Sequence, residues 1–88
     1  MSHIVEKGVL TTMPEVIALA KNLRRIRKEM KLSQLEFALE SEISLDIISM
    51  IERQQANPRL STLQQISAYI GCTVADLLTP PKDEKNRI

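Results

Sequence analysis

The residues SQLEFALESEISLDIISMIE, at positions 33–52, decide the fold of this chain. Ser33 and Ser44 each stand immediately before a run of apolar residues with helical spacing. Serine is a favoured N-cap because its hydroxyl accepts a backbone N–H of the first helical turn. Glu36 follows Ser33 by three positions, which completes a capping box. The stretch therefore predicts two short amphipathic helices joined by a turn of about four residues.

Apolar residues within this stretch recur at helical intervals, and each predicted helix has an apolar face. Ile43 lies in the turn between them. This arrangement is typical of a helix-turn-helix, whose second helix can lie in the major groove of DNA. The residues that we expect to face inward are Leu35, Ala38 and Leu39 on the first helix and Ile47, Ile48 and Ile51 on the second.

Four segments carry a resemblance to a known family: LRRIRKEMKLSQLEFA, ISLDIISMIER, NPRLSTLQQISAYIG and TVADLL. In order and spacing they resemble the Xre/Cro family of phage-repressor-like helix-turn-helix proteins, from residue 23 to residue 78. Glu42 and Gln54 stand where the family usually has Gly. The resemblance implies an all-α fold, a compact five-helix bundle of the lambda-repressor-like DNA-binding class.

Caps and stop signals predict where the five helices lie. The first helix should bury a stripe of apolar residues, and Gly71 should end the fourth. The stripe consists of Val16, Leu19, Ala20, Leu23, Ile26 and Met30. The first predicted helix begins after Thr12, which forms a capping box with Glu15 and is followed by Pro14 in the first turn, and runs to about Met30. The second and third cover residues 34–41 and 45–53. The fourth is capped by Ser61, in a box with Gln64, and the fifth covers 74–78 after Thr73.

Composition agrees with an all-α fold. Eighty-eight residues suffice for one modest core, and with Phe37 and Tyr69 as the only aromatic residues that core must be mostly aliphatic. We expect residues 1–12 to be a leader or arm, 13–79 to be the helix-turn-helix domain, and 80–88 to be a flexible tail. The leader is either a frayed end or an arm, built on apolar residues, that packs on a partner subunit.

The net charge of +1 hides an uneven distribution. The segment 21–31 holds six basic residues against Glu29 alone, whereas 32–52 holds five acidic residues and no basic one. A negative DNA-facing unit is unusual, because neutralisation of phosphates supplies most non-specific affinity. The prediction of DNA binding therefore rests on the geometry of the motif. The acidic residues are Glu36, Glu40, Glu42, Asp46 and Glu52.

The resemblance implies roles for individual residues. Base contacts fall on Leu45, Asp46, Ser49 and Met50. Contacts to the DNA backbone fall on Ser33, Gln34, Ser44, Arg53, Gln55, Asn57 and Arg59. Arg27 and Glu52 occupy the places of a structural ion pair.

The predicted reading set is poor in the Arg, Asn and Gln side chains that recognise G and A most strongly. Leu45 and Met50 suit thymine methyl groups, Ser49 suits either kind of base, and Asp46 can accept from a cytosine N4. Simpler interpretations stay open. Asp46 is favourable at a helix N-terminus without DNA, and Leu45 with Met50 also suits a contact between proteins.

The resemblance implies a sequence-specific transcriptional regulator, a repressor that acts as a homodimer on an inverted repeat in double-stranded DNA. The alternative is a protein-interaction module on the same fold, antitoxin-like or an adaptor, with a protein partner. The chain has one histidine, His3, and one cysteine, Cys72, and neither stands in a catalytic or metal-binding spacing. We expect no enzyme activity, cofactor, metal site or membrane association, and a cytoplasmic location.

Overall fold

The computed structural model describes residues 13–81, and all regular secondary structure in that range is helical. The helices are α1 (Pro14–Glu29), α2 (Gln34–Ser41), α3 (Leu45–Glu52), α4 (Leu60–Ile70) and α5 (Val74–Leu78). The predicted all-α, five-helix fold is confirmed. The predicted leader and most of the predicted tail lie outside the described residues. Within residues 13–81, no helix is both long and apolar enough to cross a membrane.

Three helices begin where the sequence predicts, because their caps are local. The Ser33 hydroxyl accepts the Glu36 N–H at 3.0 Å, and the Ser33 N–H donates to the Glu36 carboxylate at 2.8 Å. Ser44 accepts the Ile47 N–H at 3.1 Å. Thr73 forms a further capping box with Asp76, at the start of α5. These contacts satisfy N–H groups that the first turn leaves without intrahelical acceptors.

Two predicted caps are wrong. The N-cap of α1 is Met13, which makes no side-chain cap bond, and Pro14 begins the helix without needing an N–H acceptor. Thr12 itself lies outside the described residues. The N-cap of α4 is Arg59, because a hydrogen bond from the Leu63 N–H to the Arg59 carbonyl already closes the first turn. Ser61 therefore lies inside that turn.

The core places α3 between two neighbours. Helix α3 packs against both α1 and α2, while α1 also packs against α5, and α2 against α4. The Phe37 ring meets Tyr69 edge to face, with 5.2 Å between centroids. The buried cluster comprises Leu19, Leu23, Phe37, Ala38, Ile43, Ile48, Ile51, Leu63, Ile66 and Leu77. Because neighbours hold one side of α3, its other side is left to solvent.

The predicted inward faces are partly wrong. Leu35 and Leu39 are 53% and 69% exposed, because α2 turns Phe37, Ala38 and Ser41 inward instead. Apolar residues fill four of the five positions from 35 to 39, so the pattern alone leaves two candidate faces, and the Phe37 ring takes the core. On α3 the buried residues are Ile48, Ile51 and Glu52, and Ile47 is 36% exposed. Met30, the C-cap of α1, is exposed rather than part of the buried stripe.

Three residues other than glycine adopt left-handed backbone conformations at the ends of helices. Glu42 and Gln54, the two departures from the family pattern, have φ values of 63° and 61°, and Lys31 has 62°. Each ends its helix with the backbone bonding that a C-terminal Gly usually provides. A side chain in this conformation costs about 1–2 kcal/mol, so these three turns form at some loss of stability.

A buried amide joins the first helix to the last. The Nδ2 of Asn22, on α1, lies 2.8 Å from the Leu77 carbonyl and 2.7 Å from the Thr79 carbonyl, with the Asp76 carbonyl at 3.3 Å. These carbonyls stand at the C-terminal end of α5, where helical N–H donors run out, although the Thr79 N–H still reaches the Asp76 carbonyl at 3.4 Å. Asn22 thus fixes α5 against α1, a role that the sequence did not predict.

Candidate nucleic-acid interface

The carboxylate of Glu52 joins three helices. Glu52 is the last residue of α3, and its side chain is 1% exposed. Arg27, on α1, donates from Nε to one carboxylate oxygen at 2.7 Å and from Nη2 to the other at 2.9 Å. Gln34, the first residue of α2, donates from Nε2 to Oε1 at 3.0 Å. Together with Arg24, described below, these residues form the Glu52 cluster.

The cluster keeps Glu52 ionised. Burial acts to raise the pKa of this carboxyl, but hydrogen bonds from Arg27 and Gln34, together with the charges of Arg27 and Arg24, bring the pKa below its ordinary value. The hydrogen bond to Glu52 in turn raises the pKa of the Arg27 guanidinium, although burial opposes this. A planar guanidinium matches a carboxylate in two parallel hydrogen bonds, so the contact fixes orientation as well as distance. The C-terminal end of α3 is thereby held to both α1 and α2.

The residues predicted to read bases share the outward side of α3. Leu45, Asp46 and Met50 are exposed, and Ser49 is half-buried. Their positions follow the i, i+1, i+4, i+5 spacing of one helical surface. Ile47 adjoins them and is also exposed, although the sequence pattern predicts it to face inward. The outward side of α3 is therefore mainly apolar, with one carboxylate and one hydroxyl.

A groove of about 520 Å³ runs beside α3. One wall is formed by α3, and the other by the segment that leads into α4. Three of the predicted backbone contacts, Gln55, Asn57 and Arg59, lie along it next to Met50. The lining residues are Ile47, Met50, Gln55, Ala56, Asn57, Pro58, Arg59 and Thr62. The fold thus brings the predicted base-reading and phosphate-binding segments to one edge.

The remaining predicted backbone contacts have hydrogen-bond partners within the protein. The Ser33 and Ser44 hydroxyls accept cap hydrogen bonds, which leaves each O–H free to donate. The Gln34 amide uses one N–H on Glu52, and its other N–H remains a donor. Arg53, the C-cap of α3, has its Nε 3.4 Å from the Ser49 carbonyl and is exposed. Only Gln34 is therefore committed to the interior as well as available to a ligand.

Arg24 is a further member of the cluster, with no role predicted from the sequence. Its Nη2 donates to the backbone carbonyl of Glu52 at 2.6 Å, and its Nε lies 3.6 Å from the Glu52 carboxylate. A signal was present, because Arg24 precedes Arg27 by three positions and so shares its side of α1. Arg24 therefore contacts the same end of α3 as Arg27.

Comparisons with known proteins place this geometry in a family. Residues 23–77 match the family described as Helix-turn-helix. The HTH-type transcriptional regulator DdrOP3 of Deinococcus deserti is 40% identical over 60 residues, which are 68% of this chain and 46% of that protein. The Immunity repressor protein of Bacillus phage phi105 is 32% identical over 62 residues, 70% of this chain and 43% of that protein. The chain thus spans less than half the length of these two relatives.

A solved structure resembles the whole arrangement. The crystal structure of the hypothetical transcription factor NHTF from Neisseria superposes with a TM-score of 0.73 and 25% sequence identity. The match covers 96% of this chain and 89% of that one. The chain belongs to the Xre-type helix-turn-helix family of DNA-binding transcriptional regulators.

Proposed function

We propose that this chain is a sequence-specific DNA-binding repressor that acts as a homodimer on an inverted repeat. The observation that carries the proposal is the division of α3 into two sides. Ile48, Ile51 and Glu52 fix the inner side to the rest of the fold, while the outer side is exposed. A helix held rigidly on one side and open on the other is what insertion into a major groove requires.

The outer side of α3 has a definite chemistry for bases. Leu45 and Met50 contact thymine methyl groups, Ser49 donates to or accepts from a base edge, and Asp46 accepts from a cytosine N4 amino group. The exposure of Ile47 adds a further apolar side chain. We therefore expect half-sites in which thymine methyls contribute more to selectivity than bidentate contacts to guanine do.

Phosphates are bound on both flanks of α3. On one flank the N-terminus of α2 presents backbone N–H groups together with Ser33 and Gln34. On the other flank the segment between α3 and α4 contains Arg53, Gln55, Asn57 and Arg59. Ser44 adds a hydroxyl at the start of α3. These contacts set the position of α3 in the groove without selecting a sequence.

The dimer and the repressor role rest on symmetry and on likeness to relatives. A two-fold pair of such domains places its two α3 helices about 34 Å apart, one turn of DNA, and so recognises an inverted repeat. One of the relatives is named an Immunity repressor protein. Occupation of a promoter by such a dimer blocks transcription.

The proposal is tested by selecting bound duplexes from a random DNA pool and sequencing them. We expect an inverted repeat whose half-sites are one helical turn apart. Leu45→Ala should change the preferred bases, because Leu45 lies on the outer side of α3. Leu39→Ala is the matched control, since Leu39 is an exposed leucine on α2. A folded protein that enriched no motif would contradict the proposal.

The second candidate is a protein-interaction module on the same fold. It is favoured by the exposed face of α2, where Leu35 and Leu39 lie beside Glu36 and Glu40. Leucines in an acidic setting suit a protein partner better than a phosphate backbone. If Leu39→Ala abolished a complex with a co-purifying protein and the wild-type chain enriched no DNA motif, this second function would replace the first.

A further inference from the structure

Two arginines approach one buried carboxylate in the Glu52 cluster, and they do so in different ways. Arg27 makes two hydrogen bonds to the carboxylate and is itself 12% exposed. Arg24 reaches the same carboxylate only as an ionic contact at 3.6 Å, and its side chain is 47% exposed. The charge of Glu52 is thus balanced by Arg27, and the cluster as a whole carries one surplus positive charge.

The guanidinium of Arg24 is anchored at one point and open at others. Its Nη2 donates to the Glu52 carbonyl at 2.6 Å, which uses one of five N–H donors. A guanidinium held by one short hydrogen bond loses less conformational freedom when an anion binds than a free surface arginine does. Arg25, the next residue, differs in this respect, because it pairs at the surface with Glu29, four residues later on α1.

Arg24 also lies between the two flanks that bind phosphate in the proposed function. It contacts Oε1 of Glu52, the same oxygen that Gln34 contacts from the N-terminus of α2. The carbonyl that anchors it belongs to the last residue of α3, immediately before Arg53 and the segment that leads to α4. A positive group at this position is adjacent to both ends of the proposed backbone contact.

We propose that Arg24 binds a phosphate of the DNA backbone, in addition to holding the C-terminal end of α3. The inference rests on the proposed function, since it adds a contact to the same interface. Arg24 then supplies positive charge where the segment 32–52 has none. Its contact is independent of base sequence, because phosphates are the same at every step of the duplex.

The test compares Arg24→Gln with its neighbour Arg25→Gln, which removes the same charge from the exposed surface of α1. Binding of the full chain to a duplex of unrelated sequence is measured from 50 to 200 mM KCl. Each phosphate contact contributes about 0.9 to the slope of log K against log salt. We expect Arg24→Gln to lower the magnitude of the slope by about 0.9, Arg24→Lys to restore most of it, and Arg25→Gln to leave it unchanged.

A second measurement uses the wild-type chain and so does not depend on the folding of a variant. Modification of arginines by phenylglyoxal is followed by mass spectrometry with and without the duplex. We expect DNA to protect Arg24 and to leave Arg25 reactive. Equal slopes for wild type and Arg24→Gln, or equal protection of both arginines, would overturn the inference. If the wild-type chain bound no duplex at the lowest salt, the proposed function itself would fail.

Discussion

Two buried polar groups tie α1 to the rest of the fold, and they differ in charge. Asn22, a neutral amide, meets three carbonyls at the end of α5. Glu52, an ionised carboxylate, meets Arg27 and Gln34 and so joins α3 to α1 and α2. Both residues are almost wholly buried. The neutral contact supports a helix that is remote from the proposed DNA-binding surface, whereas the ionic cluster supports the helix that carries it.

The difference shows what each kind of contact does for the molecule. A neutral amide in a satisfied site adds a modest stabilisation that does not vary with pH. A buried ion pair gives little net stability compared with an apolar pair, yet loss of one partner leaves an uncompensated charge. The orientation of α3 is therefore fixed by a contact that adds little net stability while intact but is costly to disrupt by removing one partner.

The largest effect is expected when the Glu52 cluster loses Arg27, which makes two hydrogen bonds to the carboxylate. Arg27→Met should lower the free energy of unfolding by about 3 kcal/mol, because Glu52 stays buried with weaker partners. The measurement is urea unfolding at pH 7. Arg25→Met is the matched control, since its pair with Glu29 is exposed and is worth less than about 0.5 kcal/mol. A loss in Arg27→Met as small as that of the control would contradict the role of the cluster.

Loss of the buried Asn22 amide should lower the stability by a smaller amount, and this loss should not depend on pH. Asn22→Ala should lower the free energy of unfolding by about 2 kcal/mol, because the Leu77 and Thr79 carbonyls lose the Asn22 donor. The loss should be the same at pH 5 and pH 8, since no group in this contact titrates between them. Urea unfolding at both values is the measurement. A loss that grew with pH would show that Asn22 is coupled to a titrating group.

The stability contributed by Glu52 should fall in acid, whereas the stability contributed by Asn22 should not. The folded-state pKa of Glu52 is lowered, so its contribution to stability is fully present above the unfolded-state pKa, near 4.5, and is lost as the pH falls through the lower folded-state value. Capping hydrogen bonds lower the pKa values of Glu36 and Asp76 as well, so these two residues also lose their contribution to stability as the pH falls. Glu52→Gln removes only the Glu52 part. Asn22→Ala should keep the acid dependence of the wild type, whereas Glu52→Gln should reduce it by the part that Glu52 contributes. Unfolding free energies from pH 7 down to pH 3 provide the test, and identical acid dependence in wild type and Glu52→Gln would contradict it.

The smallest effect concerns the turn that follows Glu52. Gln54→Gly should raise the free energy of unfolding by about 1 kcal/mol, because glycine adopts φ of 61° without a steric penalty. Gly71→Ala is the complementary control. Gly71 has φ of 93° with open space around it, so a methyl group there should destabilise through the backbone alone. Thermal unfolding of both variants is the measurement, and a lower midpoint in Gln54→Gly would show that the glutamine side chain has a stabilising contact.

The elements that the sequence predicted correctly depend on neighbours along the chain. The caps Ser33, Ser44 and Thr73 act within three residues, and the family resemblance supplied the order of the helices. The predicted cap at Ser61 failed because the same spacing is compatible with a helix that begins at Leu60. Choosing the buried face of α2 required the position of Phe37 against Tyr69, which is a tertiary contact.

Asn22 and the Glu52 cluster show the same limit of prediction from sequence, because their partners lie far away along the chain. Asn22 could not be predicted as a buried donor, since its acceptors are carbonyls 54 to 57 residues further along the chain. The resemblance placed Arg27 and Glu52 as a pair, and the structure joins them across 25 residues. It gave no role to Arg24, whose contact is with a backbone carbonyl. The i, i+3 spacing places Arg24 on the same side of α1 as Arg27, but a backbone carbonyl 28 residues further along the chain has no side-chain signature, so only the fold reveals that contact.

The most direct measurement of whether α3 reads the bases is duplex selection with Met50→Gln beside the wild type. Glutamine recognises adenine through two hydrogen bonds, whereas methionine offers only an apolar contact. We expect the variant to select a motif that differs from the wild-type motif by a new adenine at one position in each half-site. Leu39→Gln, on the exposed face of α2, should select the wild-type motif. If Met50→Gln also selected the wild-type motif with equal enrichment, α3 would not be the reading helix.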